Sequence, residues 1–331
     1  MTETLFLLMG VCIVVASLID FAWTTLWVDG GAGPLTDRLS TSIWISLRKV
    51  FSDNVKVLSI SGPLILSMTL LMWIALLWLG WTLVFSGSET SLIDTADKGF
   101  VTWAERFYFA GYLIFTLGNG DFAPNGSVWQ IATVLATGSG MLFITLGVTY
   151  LLSVLGAVTA KRSFAESVTS LGDSSAEIVE NAWNGRNFKD IDFLLNTFST
   201  ELSTITAQHN AYPVLHYYYA EKISESVPAA VVLLDEALSI LRFAVSVSNS
   251  PNRLLLREAR GTIESYLEAL NSASFAPAAE EPPGIKLDGL RSKGLPVMPQ
   301  KDFDEAMKTL KERRQKLVGL IKSSAVKSPW H

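Results

Sequence analysis

Seven residues, Thr116–Phe122, read TLGNGDF and decide how the rest of the chain is interpreted. Two glycines flank an asparagine, an aspartate follows, and uncharged runs stand on both sides. Flexible, polar backbone of this kind is tolerated in a lipid bilayer only where it is buried in protein or lines a water-filled path. The stretch therefore predicts a loop that lines such a path, provided that the surrounding sequence spans a membrane.

The composition predicts one membrane part and one soluble part. The chain has 331 residues, of which 49% are hydrophobic and 17% are charged, whereas an ordinary soluble domain carries roughly 25% charge. Residues 4–19, 57–88 and 122–160 contain no Asp, Glu, Lys or Arg, while residues 161–331 have an ordinary charge content. The net charge of −5 disfavours nucleic acid as a partner.

Clusters of residues that would support catalysis are missing from the sequence. Cys12 is the one cysteine and lies in the first apolar run, which excludes an internal disulfide and disfavours a thiolate metal site. We find no nucleophile paired with a base, no carboxylate pair, no glycine-rich nucleotide-binding motif and no arginine-rich voltage sensor. We therefore expect no enzyme activity, no cofactor and no resident metal.

Three apolar runs are long enough to cross a bilayer, which takes about 20 residues. They are Leu5–Val28, Gly62–Phe85 and Trp129–Val158. The first follows an acidic residue with no Lys or Arg before it, which favours a retained helix (residues 1–28) over a cleaved signal peptide. Between the second and the third run, the apolar stretch that ends at Phe115 is too short to span and predicts a re-entrant element.

The distribution of positive charge predicts the orientation of these spans. Residues 29–60 carry four Lys or Arg, and Lys161 and Arg162 follow the last span, whereas residues 87–106 are richer in Asp and Glu. Loops rich in Lys and Arg stay on the cytoplasmic side. We expect the N-terminus outside the cell membrane, with residues 29–60 and the C-terminal part inside. An amphipathic helix over residues 37–57 is expected on the inner face.

The C-terminal part is predicted to be helical throughout. Apolar residues recur at helical spacing across residues 161–273, and no run alternates as a strand would. Residues 274–300 hold five of the twelve prolines and predict a linker. Residues 301–331 predict a last helix, Asp302–Ser323, with an apolar stripe opposite basic residues. That helix is expected to pack on the protein, to bundle with other subunits or to lie on the acidic inner leaflet.

The glycines have a physical use in this setting. A short helix that stops at membrane depth points its C-terminal dipole, about half a negative charge, at the space beyond it. A following strand with glycines can alternate the sign of φ and turn successive carbonyl oxygens to one side. Four such strands around an axis form a ladder of oxygens that replaces the hydration shell of a cation.

The stretch FTLGNGDFAP, residues 115–124, resembles the pore loop of the potassium-channel superfamily, whose signature is T-V-G-Y-G-D. The resemblance covers roughly residues 62–160. Leu117 stands in for Val, and the matching residues are Thr116, Gly118, Gly120 and Asp121. The resemblance implies a homotetrameric, all-α membrane protein. To the two-span pore unit, the first apolar run adds an extra N-terminal transmembrane helix, and the C-terminal part adds an all-helical cytoplasmic domain.

The same resemblance implies a pore domain over residues 61–160. Its parts would be spans 62–85 and 129–158, a pore helix 104–115 and a filter 116–121. The implied ion-binding residues are Thr116, Leu117, Gly118, Asn119 and Gly120. Asp121 and Tyr112 would support the filter from behind. The implied activity is passive conduction of potassium, gated by the cytoplasmic domain. The permeant cation would be the ligand, and membrane lipid would surround the spans.

One position departs from the signature. The family's aromatic residue, usually Tyr, is Asn119 here. An asparagine cannot pack into the cuff of pore-helix aromatics that holds the filter at its diameter. The pore helix keeps its own aromatics, which are Phe107, Tyr108, Phe109, Tyr112 and Phe115. We expect cation conduction and favour potassium selectivity. The alternatives are a non-selective monovalent cation channel and a non-conducting membrane receptor or scaffold.

Four further residues are candidates for gating or sensing. Gly138 and Gly140 lie about twenty residues past the filter, where the family's inner helix bends, although small residues also serve close helix packing. Asp20 is an acid in the first span, which predicts a gating or pH-sensing role unless it lies at the inner interface. His216 is a candidate pH sensor or metal ligand, with a packed helix or subunit interface as the alternative.

His216 belongs to an unusual segment, QHNAYPVLHYYYAEK, at residues 208–222. Two of the three histidines of the chain and four of its eight tyrosines fall within it. Asn210 is expected to cap a helix that has Pro213 in its first turn. His216, Tyr219 and Ile223 would then share one face of that helix.

Overall fold

The uncharged runs of the sequence become long helices in this computed structural model, which describes residues 2–28, 30–51, 54–96, 99–271, 276–324 and 329–330. In chain order the first elements are α1 (Thr2–Leu26), α2 (Pro34–Phe51), α3 (Val55–Phe85), β1 (Leu92–Asp94), α4 (Trp103–Ile114), β2 (Phe122–Pro124) and α5 (Ser127–Thr169). Within the described residues, three helices (α1, α3 and α5) are long and apolar enough to cross a membrane. Each predicted span thus falls on one observed helix.

Two of these helices extend beyond the predicted spans. α3 begins at Val55 rather than Gly62, and Pro63 lies within it. α5 continues from Val158 to Thr169, because residues 159–169 contain neither Gly nor Pro to end it. The helix that follows the predicted filter is therefore one continuous element of 43 residues.

The chain divides into two compact units. The first unit comprises Met1–Ser46, Pro63–Val154 and Ala211–Val214, and the second unit comprises Leu47–Gly62, Leu155–Asn210 and Leu215–His331.

In the first unit, α1 approaches α3 closely where both helices carry glycine. A Cβ atom on Gly10 would lie 2.7 Å from the carbonyl oxygen of Gly80, and one on Gly80 would lie 2.7 Å from Cγ2 of Val14. Small residues allow such backbone contact between helices in lipid. The N-terminal helix is thus an integral part of this unit. Elsewhere α1 exposes a row of apolar side chains, namely Leu8, Val11, Val15 and Ile19.

A small antiparallel sheet lies beside the re-entrant element, and the all-α prediction lacked it. β1 pairs with β2 in the register Leu92 with Pro124, Ile93 with Ala123 and Asp94 with Phe122. Each strand has three residues, which is too short for a recognisable alternation in the sequence. The pairing holds together the two ends of the segment that contains α4 and the residues we call the glycine loop, Thr116–Asp121.

The second unit is built from the helices after α5 and surrounds α8. Its helices are α6 (Ser175–Asn181), α7 (Asp192–Ala211), α8 (Val227–Ser239), α9 (Arg253–Asn271), α10 (Asp288–Ser292), α11 (Gln300–Met307) and α12 (Lys311–Ser323). A π-helical turn, Ile240–Ala244, continues α8. α8 is buried on all sides from Ala229 to Ser239. Its Ala-, Val- and Leu-rich sequence is typical of a helix that is surrounded by others.

The proline-rich stretch packs as part of the second unit, so the prediction of a linker is wrong for the described residues 276–300. Ile285, Leu287 and Leu290 are buried in the core of the unit. Val297 forms an antiparallel bridge with Val245. Proline lacks the amide hydrogen that a regular helix needs, but this does not prevent the intervening apolar side chains from packing.

The predicted last helix is divided into α11 and α12 by a 3-10 turn, Lys308–Leu310. Phe303, in the predicted apolar stripe, is fully buried. On the basic side, Arg313 forms ion pairs with Asp235 and Glu264, each at 2.6 Å. These contacts favour packing against the second unit over a position on the membrane surface.

The segment rich in histidine and tyrosine differs from its prediction. α7 runs to Ala211, so Asn210 lies in its last turn and does not cap a new helix. Pro213 instead opens a 3-10 turn, Pro213–Tyr217, because it lacks the amide hydrogen that would continue α7. A second short turn, Ile223–Glu225, leads into α8.

Candidate functional site

α4 delivers the chain into the glycine loop. The helix begins with a capping box, in which the amide of Thr102 donates to Oε2 of Glu105 at 2.6 Å and the hydroxyl of Thr102 accepts from the amide of Glu105. At its other end, the amide of Leu117 donates to the carbonyl oxygen of Tyr112 at 2.8 Å. This bond closes the last turn of α4, and the chain leaves the helix after it.

The backbone of the glycine loop alternates between two conformations. φ is +56° at Thr116, +63° at Gly118 and +83° at Gly120, whereas Leu117 and Asn119 do not have positive φ. Positive φ favours glycine because a side chain costs roughly 1–2 kcal/mol there. Two of these three positions are therefore glycine, and Thr116 adopts the conformation in spite of that cost.

Four carbonyl oxygens of the loop have no hydrogen-bond donor among the described residues. They belong to Thr116, Leu117, Gly118 and Asn119, all of which are exposed. The carbonyl oxygen of Gly120 differs, because the hydroxyl of Thr95 lies 3.0 Å from it and 2.9 Å from that of Asp121. Of the five predicted ion-binding residues, Gly120 thus has a carbonyl that already contacts a protein donor.

Asn119 is joined to α4 by a hydrogen bond instead of by aromatic packing. Its side-chain amide donates to the hydroxyl of Tyr108. That hydroxyl donates in turn to Oδ2 of Asp121 at 2.9 Å. The asparagine and the aspartate of the loop are therefore connected through one tyrosine. Tyr112 contacts the residue that follows the loop, because its hydroxyl donates to the carbonyl oxygen of Phe122 at 2.9 Å.

Two aromatic residues of α4, Phe107 and Phe109, contact α3 rather than the glycine loop. Phe107 stacks on Trp78 with ring centres 4.4 Å apart, and Phe109 meets Phe85 edge-on at 4.9 Å. These contacts fix the position of α4, so that Tyr108 is presented to the loop. Sequence reasoning placed Tyr108 in a general aromatic cuff and did not identify it as the partner of Asn119.

Comparisons with known proteins identify the family. Residues 68–157 match the model of a protein family described as "Ion channel". A protein of Bacillus subtilis (strain 168), "Uncharacterized membrane protein YdjJ", is 48% identical over 324 residues, which are 98% of this chain and 95% of that protein. The chain belongs to the same family as YdjJ. Its ion-channel domain, residues 68–157, indicates a transport-type protein rather than an enzyme. No solved structure matches the chain.

Arg106 holds the N-terminal end of α4 in the ion-channel domain. Its side chain is 4% exposed. The guanidinium donates to the carbonyl oxygens of Phe85, Ser88 and Glu89 at 2.5, 2.6 and 3.0 Å. These carbonyls lie at and after the C-terminal end of α3, where a cation is favoured by the helix dipole. Sequence reasoning used Arg106 only in the charge count and missed this role.

Gly138 and Gly140 of the ion-channel domain have different surroundings. A Cβ atom on Gly140 would lie 2.5 Å from the carbonyl oxygen of Ile114, at the end of α4, whereas one on Gly138 would have no atom within 4 Å. Gly140 therefore allows the end of α4 to touch α5. Within the described chain, no neighbouring atom requires glycine at Gly138. The gating hinge at Gly138 and Gly140 stays a prediction.

We expect Gly140→Ala to lower the yield of folded protein strongly, because backbone at Ile114 cannot move aside as a side chain can. Gly138→Ala is the matched control and is expected to leave the yield near that of the wild type. Size-exclusion chromatography and thermal unfolding of both purified variants provide the measurement. Equal losses in the two variants would contradict the assigned packing.

Asp20 links α1, α2 and α3 within the first unit. It is 1% exposed. Its Oδ1 accepts from the amide of Leu35 at 2.7 Å, and its Oδ2 accepts from the hydroxyl of Thr36 at 2.6 Å and from Nε1 of Trp73 at 2.8 Å. A carboxylate at the first turn of α2 is favoured by the helix dipole. These contacts make Asp20 a structural anchor. Both oxygens of its carboxylate are buried and already accept hydrogen bonds, so the geometry does not favour the predicted sensing role.

His216 lies beside His209 in the second unit, with ring centres 6.4 Å apart. Burial lowers the pKa of His209 from 6.5 to about 3 and that of His216 to about 4, and the nearby charge of Lys161 adds to both shifts. Both imidazoles are therefore neutral at neutral pH. Within the described ranges, no group of three or more His, Cys, Asp and Glu is placed to hold a metal ion.

We expect the second unit to lose stability on acidification. The folded pKa values of His209 and His216, about 3 and 4, lie below the ordinary 6.5, so the unfolded state binds protons first as the pH falls. Stability that is complete above pH 6.5 is then lost progressively towards pH 4. In thermal unfolding of the full chain across this range, the double variant His209→Gln/His216→Gln should lose less stability than the wild type. An equal loss in both would contradict the neutral, buried state.

Proposed function

We propose that the chain assembles as a homotetramer and conducts potassium passively across the cell membrane through a filter of four glycine loops. One observation carries the proposal. The loop alternates positive and other φ values at successive residues, and its first four carbonyl oxygens have no donor among the described residues. Such a backbone can offer its oxygens to a dehydrated cation once four copies surround an axis.

The exposed surface of a single chain supports an assembly. Leu117, in the loop itself, is 61% exposed. α5 also exposes several apolar side chains, which are Val128, Ile131, Val134, Leu135, Met141 and Leu142. Apolar surface of this extent is covered by lipid or by other subunits in a membrane protein. In the proposed tetramer, the side of α5 nearest the axis lines the pathway and the remaining exposed surface contacts neighbouring subunits and lipid.

The proposed orientation rests on the charge bias. The N-terminus would lie outside, and residues 29–60 and the second unit would lie in the cytoplasm, because Lys and Arg are concentrated in these segments. The glycine loop would then open towards the outside, and the second unit would be placed to gate the channel from the cytoplasm.

Potassium selectivity is supported by the hydrogen bonds between Asn119, Tyr108 and Asp121. They restrain the width of the filter from behind, as the missing aromatic ring would. A non-selective monovalent cation channel is the second candidate. The observation that favours it is that the restraint is formed by exposed polar side chains, which water can compete for.

Flux measurements on purified protein in liposomes test the proposal against both alternatives. Potassium flux well above sodium flux is expected. Equal fluxes would support the non-selective channel, and the absence of any cation flux would support a non-conducting receptor or scaffold. Chemical cross-linking of the same preparation is expected to stop at four chains.

A further inference from the structure

A cavity of about 70 Å³ lies in the second unit. Its walls come from the C-terminal part of α5, from the segment rich in histidine and tyrosine, from the first turn of α8, and from the ends of α9 and α12. Each water molecule needs about 10–15 Å³ of such space. The cavity therefore has room for about five waters or for one solute of about four to six non-hydrogen atoms.

Several hydrogen-bond donors at this cavity lack a partner in the part of the chain that the structure describes. Tyr266 is 2% exposed and lines the cavity, and its hydroxyl makes no hydrogen bond. The hydroxyl of Tyr218 is buried and also unpaired. The amide of Val227, the first residue of α8, has no acceptor either. A buried polar group without a partner costs about 1–3 kcal/mol, which applies to the hydroxyl of Tyr218. Together with the two unused donors of Tyr266 and Val227, it indicates a missing acceptor at the cavity.

The charges around the cavity favour an anion as that acceptor. Lys161 donates to the carbonyl oxygen of Leu215 at 3.1 Å, and no described carboxylate lies within 4.0 Å of its ammonium group. Glu225, the acid in the wall, is already paired with Lys222 at 3.0 Å. The N-terminus of α8 adds a partial positive charge.

The two histidines do not change this balance at neutral pH. Burial holds the pKa of His209 at about 3 and that of His216 at about 4, so neither carries a charge. Tyr218, Tyr219 and Tyr266 are likewise neutral there, because burial raises the pKa of each. Arg162 compensates the charge of Glu225 further, at 3.8 Å. Burial, with a smaller contribution from the charge of Arg162, lowers the pKa of Lys161 from 10.5 to about 8, so this lysine is still mostly protonated at neutral pH. The net charge facing the cavity is therefore positive, and it comes from Lys161.

We propose that this cavity binds a small anion, a carboxylate or oxyanion of about four to six non-hydrogen atoms. Its oxygens would accept from Lys161, from the hydroxyls of Tyr218 and Tyr266, and from the first amide of α8. Lys161 belongs to α5, which is continuous with the last predicted span. Occupancy would thereby bias the position of that helix and regulate conduction. This regulatory consequence rests on the proposed channel function, whereas the binding itself does not.

Calorimetric titration of the full-length, detergent-purified chain with acetate and with inorganic phosphate tests the binding. Lys161→Met removes the charge at similar length, and Tyr266→Phe removes one hydroxyl. We expect Lys161→Met to weaken binding at least about tenfold and Tyr266→Phe several-fold, since a hydrogen bond to a charged group is worth about 1.5–3 kcal/mol. Lys189→Met and Tyr212→Phe are matched controls outside the cavity and should bind as the wild type does.

Two results would overturn the site. One is that neither anion binds at concentrations up to about 10 mM. Binding with a Kd of about 1 mM would be detected at these concentrations. The other is equal affinity in the wild type and in Tyr266→Phe and Lys161→Met. Either result means that the cavity holds water only. If Lys161→Met does not fold, Tyr266→Phe decides alone, because it removes a single oxygen.

Potassium flux at saturating anion tests the regulatory consequence. The flux of the wild type should change on addition of the anion, and that of Tyr266→Phe should change only at higher anion concentration. Binding without any change in flux would contradict the regulation and leave the channel assignment intact. Absence of flux with normal anion binding would instead contradict the channel and leave the site intact.

Discussion

Gly118→Ala is expected to reduce potassium flux at least about a hundredfold. Gly118 has φ of +63° and no atom within 4 Å of a Cβ position, so the effect arises from the backbone and not from a clash within the chain. A side chain in this conformation costs roughly 1–2 kcal/mol, and a tetramer contains the change four times. The total cost in the tetramer is therefore about 4–8 kcal/mol, and each 1.4 kcal/mol corresponds to a factor of ten. We expect the filter to leave its alternating conformation, which removes the carbonyl oxygens from the path of the ion.

Gly126→Ala is the matched control for this change. Gly126 also has positive φ, +91°, with no atom within 4 Å of a Cβ position, but it lies between β2 and α5, outside the glycine loop. The Gly126→Ala variant carries the same kind of local strain as Gly118→Ala. Its potassium flux should nevertheless stay within a few-fold of that of the wild type. Equal flux in the two variants, whether high or low, would show that the loop conformation has no special role in conduction.

Tyr108→Phe is expected to lower the preference for potassium over sodium by about tenfold or more. The variant removes the hydroxyl that accepts from Asn119 and donates to Asp121. Hydrogen bonds to a charged group are worth about 1.5–3 kcal/mol, and 1.4 kcal/mol is a factor of ten. Without this connection the loop can widen, and sodium can cross with part of its hydration shell. Reversal potentials in mixed potassium and sodium solutions provide the measurement.

Tyr112→Phe distinguishes this connection from a general loss of tyrosine hydroxyls. The hydroxyl of Tyr112 donates to Phe122, which lies after the loop. Its loss should leave the ion preference closer to that of the wild type than the loss at Tyr108 does. A selectivity unchanged in Tyr108→Phe would contradict the role assigned to the bond between Asn119 and Tyr108.

The long helices and the glycine loop could be predicted because lipid leaves few alternatives. Backbone that crosses a bilayer must satisfy its own hydrogen bonds, so uncharged runs of sufficient length become helices. Glycine adopts positive φ readily because it has no side chain, so the residue types at positions 118 and 120 indicate that conformation. Thr116 adopts positive φ without any such signal in its residue type. Thr116 lies between the end of α4 and the two glycines. We attribute its positive φ to the alternation that continues at Gly118 and Gly120.

The residues behind the loop could not be predicted in the same way. Thr95 reaches the loop because β1 pairs with β2, and strands of three residues leave no periodic signal. Tyr108 reaches Asn119 because its neighbours on α4 are held by Trp78 and Phe85 of α3. Both contacts join residues that are distant in the sequence, and local patterns carry no information about such pairs.

In the second unit, proline content was a misleading guide. The five prolines of residues 274–300 led to the prediction of a linker, but the described residues 276–300 include side chains buried in the core. Leu287 and Leu290 are buried through contacts with helices that are far away in the sequence. The short helix α10 lies between prolines, where a pattern of five residues is too brief to detect.

The reversal potential of the reconstituted wild-type channel, with potassium on one side and an equal concentration of sodium on the other, tests the central claim most directly. A filter of dehydrating carbonyl oxygens predicts a preference for potassium of at least about tenfold, which corresponds to about 59 mV or more for a monovalent ion. The sign of the reversal potential should show that the current at zero voltage is carried by potassium leaving the side that contains it. A reversal potential of zero with measurable current would contradict potassium selectivity, and the absence of current in well-folded, reconstituted protein would contradict the channel itself.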